Sequence, residues 1–345
     1  MKYVICLLLV FMVSCGKENH LIARKAVIPS KVDSLVTSLQ VEDYIHSIDT
    51  NYKHFKLQAI DQLKSSFPDN EDSISRELAK KYKVDKTFYK ADFDNNGYTD
   101  LLAIGDHQYC EEKEFTCHYT TFVVMNFGKE PTKISDLVIK MDLKPVPQII
   151  KDSVGQPTIV VHYGDRIFGK TGIKQTTVAK QLTYKFGSFI EYNSKAVDNN
   201  IEKIQFAMSG CYGTCPVFQL AINKDNSAIL IAQYYNFSKD RNVTYGQEEG
   251  VFKTQLSKAD ASKIIDLLNY IDFKNLNEGY SVMWTDDQTA DLKITYANGK
   301  VKTVSDYGTS GTYGLKTLYD IFMELRFNQK WEKTTEPKGA RLNKY

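Results

Sequence analysis

Beyond its first thirteen residues the 345-residue chain has no apolar run long enough to cross a bilayer, which excludes a polytopic membrane protein. It also lacks an excess of either charge. With 44 Lys+Arg against 42 Asp+Glu the formal net charge is +2. Non-specific nucleic-acid binding needs Lys and Arg to outnumber acids over a whole face, so nucleic acid is not an expected partner. The signatures H-E-x-x-H, G-x-S-x-G and G-x-G-x-x-G and the P-loop are absent, so no reaction is named by a motif. The 6 histidines are scattered and offer no zinc ligand set. No repeat of solenoid or propeller period is present. What remains, 42% hydrophobic and 25% charged, is an ordinary folded chain of one large or two modest domains.

The first residues speak to compartment. Met1-Lys2 supplies a positive charge, and Tyr3 to Val13 is apolar over a length that suits the h-region of an export signal but not a membrane span. The run ends at Met12-Val13-Ser14-Cys15-Gly16, which resembles the lipobox of bacterial lipoprotein signal peptides. That resemblance implies that 1–14 is removed and that Cys15 becomes a lipidated N-terminus, its buried acyl chains anchoring the body at roughly 0.8 kcal/mol per CH₂. A plain secreted protein is the alternative. Residues 15–40 are mostly polar and read as a tether holding the body off the membrane.

Cysteine use agrees with export. Cys6 goes with the signal and Cys15 would be lipidated, leaving Cys110 with Cys117 and Cys211 with Cys215 as two local pairs. Such pairs are expected to be short-range disulfides in an oxidising compartment. Rings this small contribute about 2 to 2.5 kcal/mol each and pin loops rather than hold a fold.

Between Val41 and Phe67 the apolar residues Val41, Tyr44, Ile45, Ile48, Tyr52, Phe55, Ile60 and Leu63 recur at three and four, which predicts one amphipathic helix stopped by Pro68. A second helix carries Ile74, Leu78 and Tyr82. From Phe88 the pattern turns to strands, with candidates 101–104, 119–127, 137–140, 158–163, 176–186 and 189–192. This predicts an antiparallel meander behind a helical preface, over 41–193. The polar stretch Asn193 to Asn200 is the best domain boundary. Beyond it, strands at 201–208, 216–223, 228–235 and 250–254 precede a helix N-capped by Ser257, with Ile264, Ile265, Leu267, Leu268 and Ile271 inward. A hairpin turning at Asn298-Gly299 follows, then a closing helix with Leu315, Leu318, Phe322 and Leu325 on one side. Its entrance, Gly308 to Gly311, could cradle an anion, though helix initiation at Thr312 accounts for it. The order strands, helix, hairpin, helix argues an α+β fold class in two domains rather than an alternating parallel sheet. The polar, mildly basic tail 328–345 is expected to be loose.

The segment Gly210-Cys211-Tyr212-Gly213-Thr214-Cys215-Pro216 before a strand, with Trp284-Thr285-Asp286 and Gly299-Lys300-Val301-Lys302 leading to Asp306-Tyr307, resembles domain-of-unknown-function family 6438 over 201–327. Asp287-Gln288 stands where that family leads one to expect Leu-Pro. The resemblance implies a fold and an exported setting without a mechanism. Physically, Gly213 lets the chain reverse, Pro216 starts a strand where a missing N–H is tolerated, and a disulfide would lock the corner. A redox or metal site at the same cysteines is the alternative.

The stretch Asp92-Phe93-Asp94-Asn95-Asn96-Gly97-Tyr98-Thr99-Asp100-Leu101 places oxygen side chains at loop positions one, three, five and nine and glycine at six. Those are the opening requirements of a calcium loop, because a hard cation needs converging oxygens on a sharp turn. Asp92, Asp94, Asn96 and Asp100 would ligate through side chains and Tyr98 through its carbonyl. Position twelve is Ala103 and the exit is a strand, so an ordinary EF-hand is not expected. The combination resembles the D-x-D-x-D-G-x-x-D-L loops of FG-GAP or VCBS-like blades, here in a single copy. A bare Asx-rich turn is the alternative. His107, His118 and His162, with Asp106 and Asp165 nearby, are expected as solvated surface histidines rather than an acid/base or metal group.

Together these readings predict a lipid-anchored cell-envelope protein with a non-catalytic binding or structural role. Calcium is the one cofactor expected, the membrane is a partner through Cys15, and an envelope protein or glycan is a further one. An envelope hydrolase with a site assembled from distant residues is the rival.

Overall fold

The computed structural model describes residues 26–62, 70–106, 119–140, 143–169, 172–236 and 249–334. Lys31–Ser34 (α1) and Ser38–Ile48 (α2) come first, α2 capped by Thr37, whose side chain accepts from the Gln40 N–H. Val32 and Leu35 are buried, so the chain expected as the end of a tether is already packed from α1 onward. The single helix expected from Val41 to Phe67 is broken. α2 stops at Ile48, where Asp49 turns its carboxylate to the Asn51 N–H and starts a 3₁₀ turn, Thr50–Tyr52. Phe55 remains buried, but the following Lys56–Leu57 (β1) pairs with a strand instead of coiling. The apolar spacing was real; it serves a turn and a strand edge as well as a helix face.

After Asn70–Tyr82 (α3) come Phe88–Ala91 (β2), Asp100–Asp106 (β3), Tyr119–Met125 (β4) and Lys133–Asp136 (β5). They form one five-stranded antiparallel sheet in the order β1-β3-β4-β5, with β2 following β1 along the same edge of β3. All seven residues of β3 are buried, because the sheet is covered on both faces. Leu101 and Ala103 with Phe122 and Val124 face α1 and α2, while Leu102 with Val123 and Met125 face a second sheet. The strand expected at 137–140 lies four residues earlier, at β5, and Leu137 instead closes the core beneath the second sheet.

That second sheet is a four-stranded meander of Val146–Lys151 (β6), Pro157–Gly169 (β7), Gly172–Lys185 (β8) and Ser188–Glu191 (β9). β2 and β6 were not anticipated from periodicity. The meander expected as one sheet is therefore two sheets, packed through Ile159, Val161, Leu182 and Phe189.

Ile201–Met208 (β10), Val217–Asn223 (β11), Ser227–Tyr234 (β12) and Gly250–Gln255 (β13) follow as an antiparallel series. Lys258–Tyr270 (α4) is N-capped by Ser257, as the sequence predicts. Gly279–Tyr280 (β14), Thr289–Tyr296 (β15) and Lys300–Tyr307 (β16) precede Tyr313–Asn328 (α5) and Glu332–Lys333 (β17). The third sheet runs β14-β16-β15-β10-β11-β12-β13-β17, antiparallel but for β14 on β16. Its core joins Phe206, Phe218, Leu220 and Leu292 to Leu267 and Leu268 of α4 and Leu315, Leu318, Phe322 and Leu325 of α5. Asn298 and Gly299 both take positive φ, 66° and 87°, as expected; Ala297 joins them at 43°, and Tyr296 pairs directly with Lys300. The supposedly loose tail is anchored at its start. The Trp331 indole N–H donates to the Leu325 carbonyl (2.8 Å), and β17 pairs with β13.

The chain is thus mixed α+β with almost wholly antiparallel sheets. Among the described residues no helix is long and apolar enough to cross a membrane.

Candidate functional site

Antiparallel pairing of Ala91 with Asp100 makes residues 92–99 the turn between β2 and β3. The turn is built from its own side chains. Asp92 accepts the N–H of Asn96 at one oxygen (3.1 Å) and that of Gly97 at the other (2.9 Å). Asp94 accepts the Asn96 N–H (3.2 Å) and its side-chain amide (3.0 Å), and Asn96 Oδ1 accepts the Tyr98 N–H (2.7 Å). Gly97 has φ 94°, a conformation that costs a glycine little and other residues much, and it reverses the chain there.

These bonds bring carboxylate oxygens of Asp92, Asp94 and Asp100 within 4.8 Å of one another. Asp100 is fully buried and accepts the N–H groups of Phe93 and Asn126, each at 2.8 Å. Burial first, and the neighbouring charges of Asp94 and Asp92 second, push its carboxyl up to about 8. Burial, with Asp92 beside it, pushes Asp94 up to about 6. Three anions this close, in a poorly hydrated place, cannot all hold their charge cheaply; protonation or a bound cation relieves them.

Of the five ligands expected from sequence, the three aspartates converge. Asn96 braces the loop, its amide N–H₂ also reaching the Asn126 carbonyl (2.8 Å). Tyr98 is held through its N–H, and its segment forms a parallel bridge with Ile28. Ala103, at position twelve, is buried in β3 opposite Phe88, consistent with the strand exit. Two residues went unnoticed in the sequence. Asn126, at the end of β4, touches the loop with its N–H, its carbonyl and its side-chain amide, the last donating to the Thr99 carbonyl (3.2 Å). Gln156 donates to the Asp92 carbonyl (2.9 Å). The signal available for Asn126 was its place before Phe127-Gly128, where its side chain accepts the Gly128 N–H (3.1 Å) in an Asx turn.

His162 departs from expectation. It is buried, stacked on Tyr82 with ring centres 3.6 Å apart, and bonded to Gln148 (3.1 Å), and burial followed by Lys81 lowers its pKa. His107, His118, Cys15, Cys110 and Cys117 lie outside the described residues. An open groove of about 480 Å³ between α3 and β8 is lined by Ile74, Glu77, Leu78, Lys81, Thr176 and Thr177.

The second cysteine pair is bonded, Cys211 to Cys215, with Cα atoms 5.7 Å apart. The resulting ring lies beside the loop after β14. The Tyr212 N–H donates to the Asp286 carbonyl (3.0 Å), and the Gln288 side chain spans the Ser209 and Pro216 carbonyls (2.8 and 3.0 Å). Asp287, where proline-containing sequence was expected, accepts the Trp284 indole N–H (2.8 Å) and thereby fixes this loop by hydrogen bonding. Residues 202–326 match the family model described as a domain of unknown function (DUF6438). The DUF6438 match spans β10 to α5, a little over a third of the chain, and takes in the disulfide corner and the loop carrying Trp284. No curated protein matches the chain.

Proposed function

We propose that this is a lipid-anchored cell-envelope protein with a non-catalytic binding or structural role, its β2–β3 turn holding calcium. In this reading Cys15 carries the lipid, the expected 41–193 unit with its blade-like calcium loop also takes in α1 and the start of α2, and 201–327 form a second unit. The observation that carries the metal is the convergence of Asp92, Asp94 and Asp100. A hard divalent cation accepts just such carboxylates and relieves the repulsion that raises Asp94 and Asp100. A metal in this position joins β2, β3 and, through Asn126, the end of β4. It stiffens a body rather than activating a water, because Asp100 is buried and bonded on both oxygens.

The deciding experiment is a thermal melt with calcium and with excess chelator. At a concentration 100-fold above Kd a ligand adds about 2.7 kcal/mol. For a body of this size that is a rise on the order of 5–10 °C, which Asp94→Ala should abolish. Superimposed curves make the turn a turn only. Anchoring is tested separately: the protein should fractionate with membranes and Cys15→Ser should release it.

A further inference from the structure

The loops 209–216 and 281–288 leave the third sheet side by side, because β10 ends and β15 begins on adjacent, paired strands, Met208 opposite Ala290. They are stitched together by the Ser209 N–H to Thr289 carbonyl bond (2.9 Å), the Tyr212 N–H to Asp286 carbonyl bond and the two hydrogen bonds that the Gln288 side-chain amide donates, and the first is closed by its disulfide. Loops this well tied ordinarily bury their large side chains. Here Tyr212 is 91% exposed and Met283 69% exposed. A pair of loops with a fixed backbone that leaves an aromatic ring in water resembles a preformed recognition surface, since on binding only the side chains and not the loops remain to be ordered.

The neighbours of these side chains say what fits. Residues 209–216 and 281–288 contain no Lys, Arg or His, so phosphate, sulfate and acidic partners find no counter-charge. Asp286, Thr285 and Thr214 are exposed in the same two loops, Asp286 joined through its carbonyl to the Tyr212 N–H, and Trp284 is half-buried with its indole N–H bonded to Asp287. A protein interface of ordinary size wants a contiguous, charge-depleted apolar centre; here Thr and Asp interrupt the apolar positions. An exposed aromatic on loops that also carry exposed carboxylate and hydroxyl groups instead suits a polyhydroxylated ring, whose C–H face packs on an aromatic while its hydroxyls donate to acids.

We infer that this corner is a glycan-binding platform, with Tyr212 as the stacking residue and Asp286 as a hydroxyl acceptor. The inference rests on the binding role proposed above but not on the calcium site.

The test is retention of the purified protein on four insoluble polymers: peptidoglycan sacculi, chitin, cellulose and starch. Retention on at least one is expected, lowered tenfold or more by Tyr212→Ala, partly kept by Tyr212→Phe, and unchanged by Val301→Ser at an exposed position on the β15–β16 hairpin. Because Tyr212 is almost wholly exposed, its alanine variant should melt with wild type. No retention on any polymer, or retention indifferent to Tyr212→Ala, overturns the inference. The calcium melt and the membrane fractionation would still decide the proposed function independently.

Discussion

Glu191, the last residue of β9, caps α5 by accepting the N–H groups of Tyr313 and Gly314, one on each carboxylate oxygen and both at 2.9 Å. The first N–H groups of a helix have no partner inside it, and a carboxylate there also meets the positive end of the helix dipole. The cap therefore fastens the second sheet to the helix that backs the third. Tyr313 adds a second fastening, its hydroxyl donating to the Leu137 carbonyl (2.7 Å). Glu191→Ala should cost on the order of 1–2 kcal/mol in urea denaturation, with Glu191→Gln costing less because one acceptor survives. Gly314→Ala should cost at least as much. An added Cβ would stand 2.4 Å from Ile271 Cγ2, at the end of α4, and 3.3 Å from the Glu191 carboxylate, so α5 would have to shift away from the end of α4 and strain the cap. Wild-type stability in both variants would show that the cap holds nothing.

The acidic turn makes a pH prediction whose sign differs with and without metal. Burial holds Asp100 up to about 8 and Asp94 up to about 6, above the value near 3.9 of an unfolded aspartate. A carboxyl with a raised folded value contributes stability that is whole below about pH 4 and is lost as pH rises through the folded values. In chelator, then, the melting temperature of wild type relative to Asp94→Asn should fall between pH 4 and pH 8. The gain from added calcium should grow over the same interval, since only the ionised carboxylates bind. Calorimetry across that range checks both; a wild-type curve in chelator that climbs relative to Asp94→Asn contradicts the picture.

Asn126 acts on the aspartates through position rather than contact with a ligand. Its side chain joins Thr99 to Gly128 while its N–H holds Asp100. Asn126→Ala keeps the backbone bonds but frees the side-chain ties, and supporting residues of this kind commonly change metal affinity 10- to 100-fold. Calcium titration by calorimetry should show a loss of roughly tenfold. Asn126→Asp keeps the acceptor for the Gly128 N–H and loses the donor to Thr99, so an intermediate affinity is expected.

How much of this was legible follows from the range of each interaction. β10 to β13, the Ser257 cap, the Asn298-Gly299 turn and the inward face of α5 were readable because alternation, capping and turn chemistry are local. Asp92, Asp94 and Asp100 were readable for the same reason: their spacing is the motif. The long helix expected from Val41 was misread because Asp49 offered a cap and β3 offered an edge for Lys56 and Leu57, and neither competitor shows in periodicity. β2 and β6 hid because neither alternates: β2 is half-buried throughout, and β6 grades from buried Val146 and Pro147 to exposed Lys151. Asn126's hold on Asp100 and Glu191's hold on α5 were invisible for a simpler reason. Their partners are 26 and 122 residues away, and nothing in a single sequence announces such a meeting.

The disulfide corner yields the last prediction. Closing a ring between Cys211 and Cys215 removes few unfolded conformations, about 2 kcal/mol by loop entropy, and Phe206, Phe218 and the α5 face supply the core beneath without it. Cys211→Ser with Cys215→Ser should therefore fold, melting only a few degrees lower. What it should lose is the fixed placement of Tyr212, whose N–H bond to Asp286 depends on the ring's shape. Amide exchange at Tyr212 should accelerate strongly in the double variant while exchange in β10 and β11 stays slow. A structural bond should also resist mild reductant, leaving both sulfurs unalkylated by mass; rapid alkylation of the native protein would instead assign these cysteines to thiol–disulfide exchange.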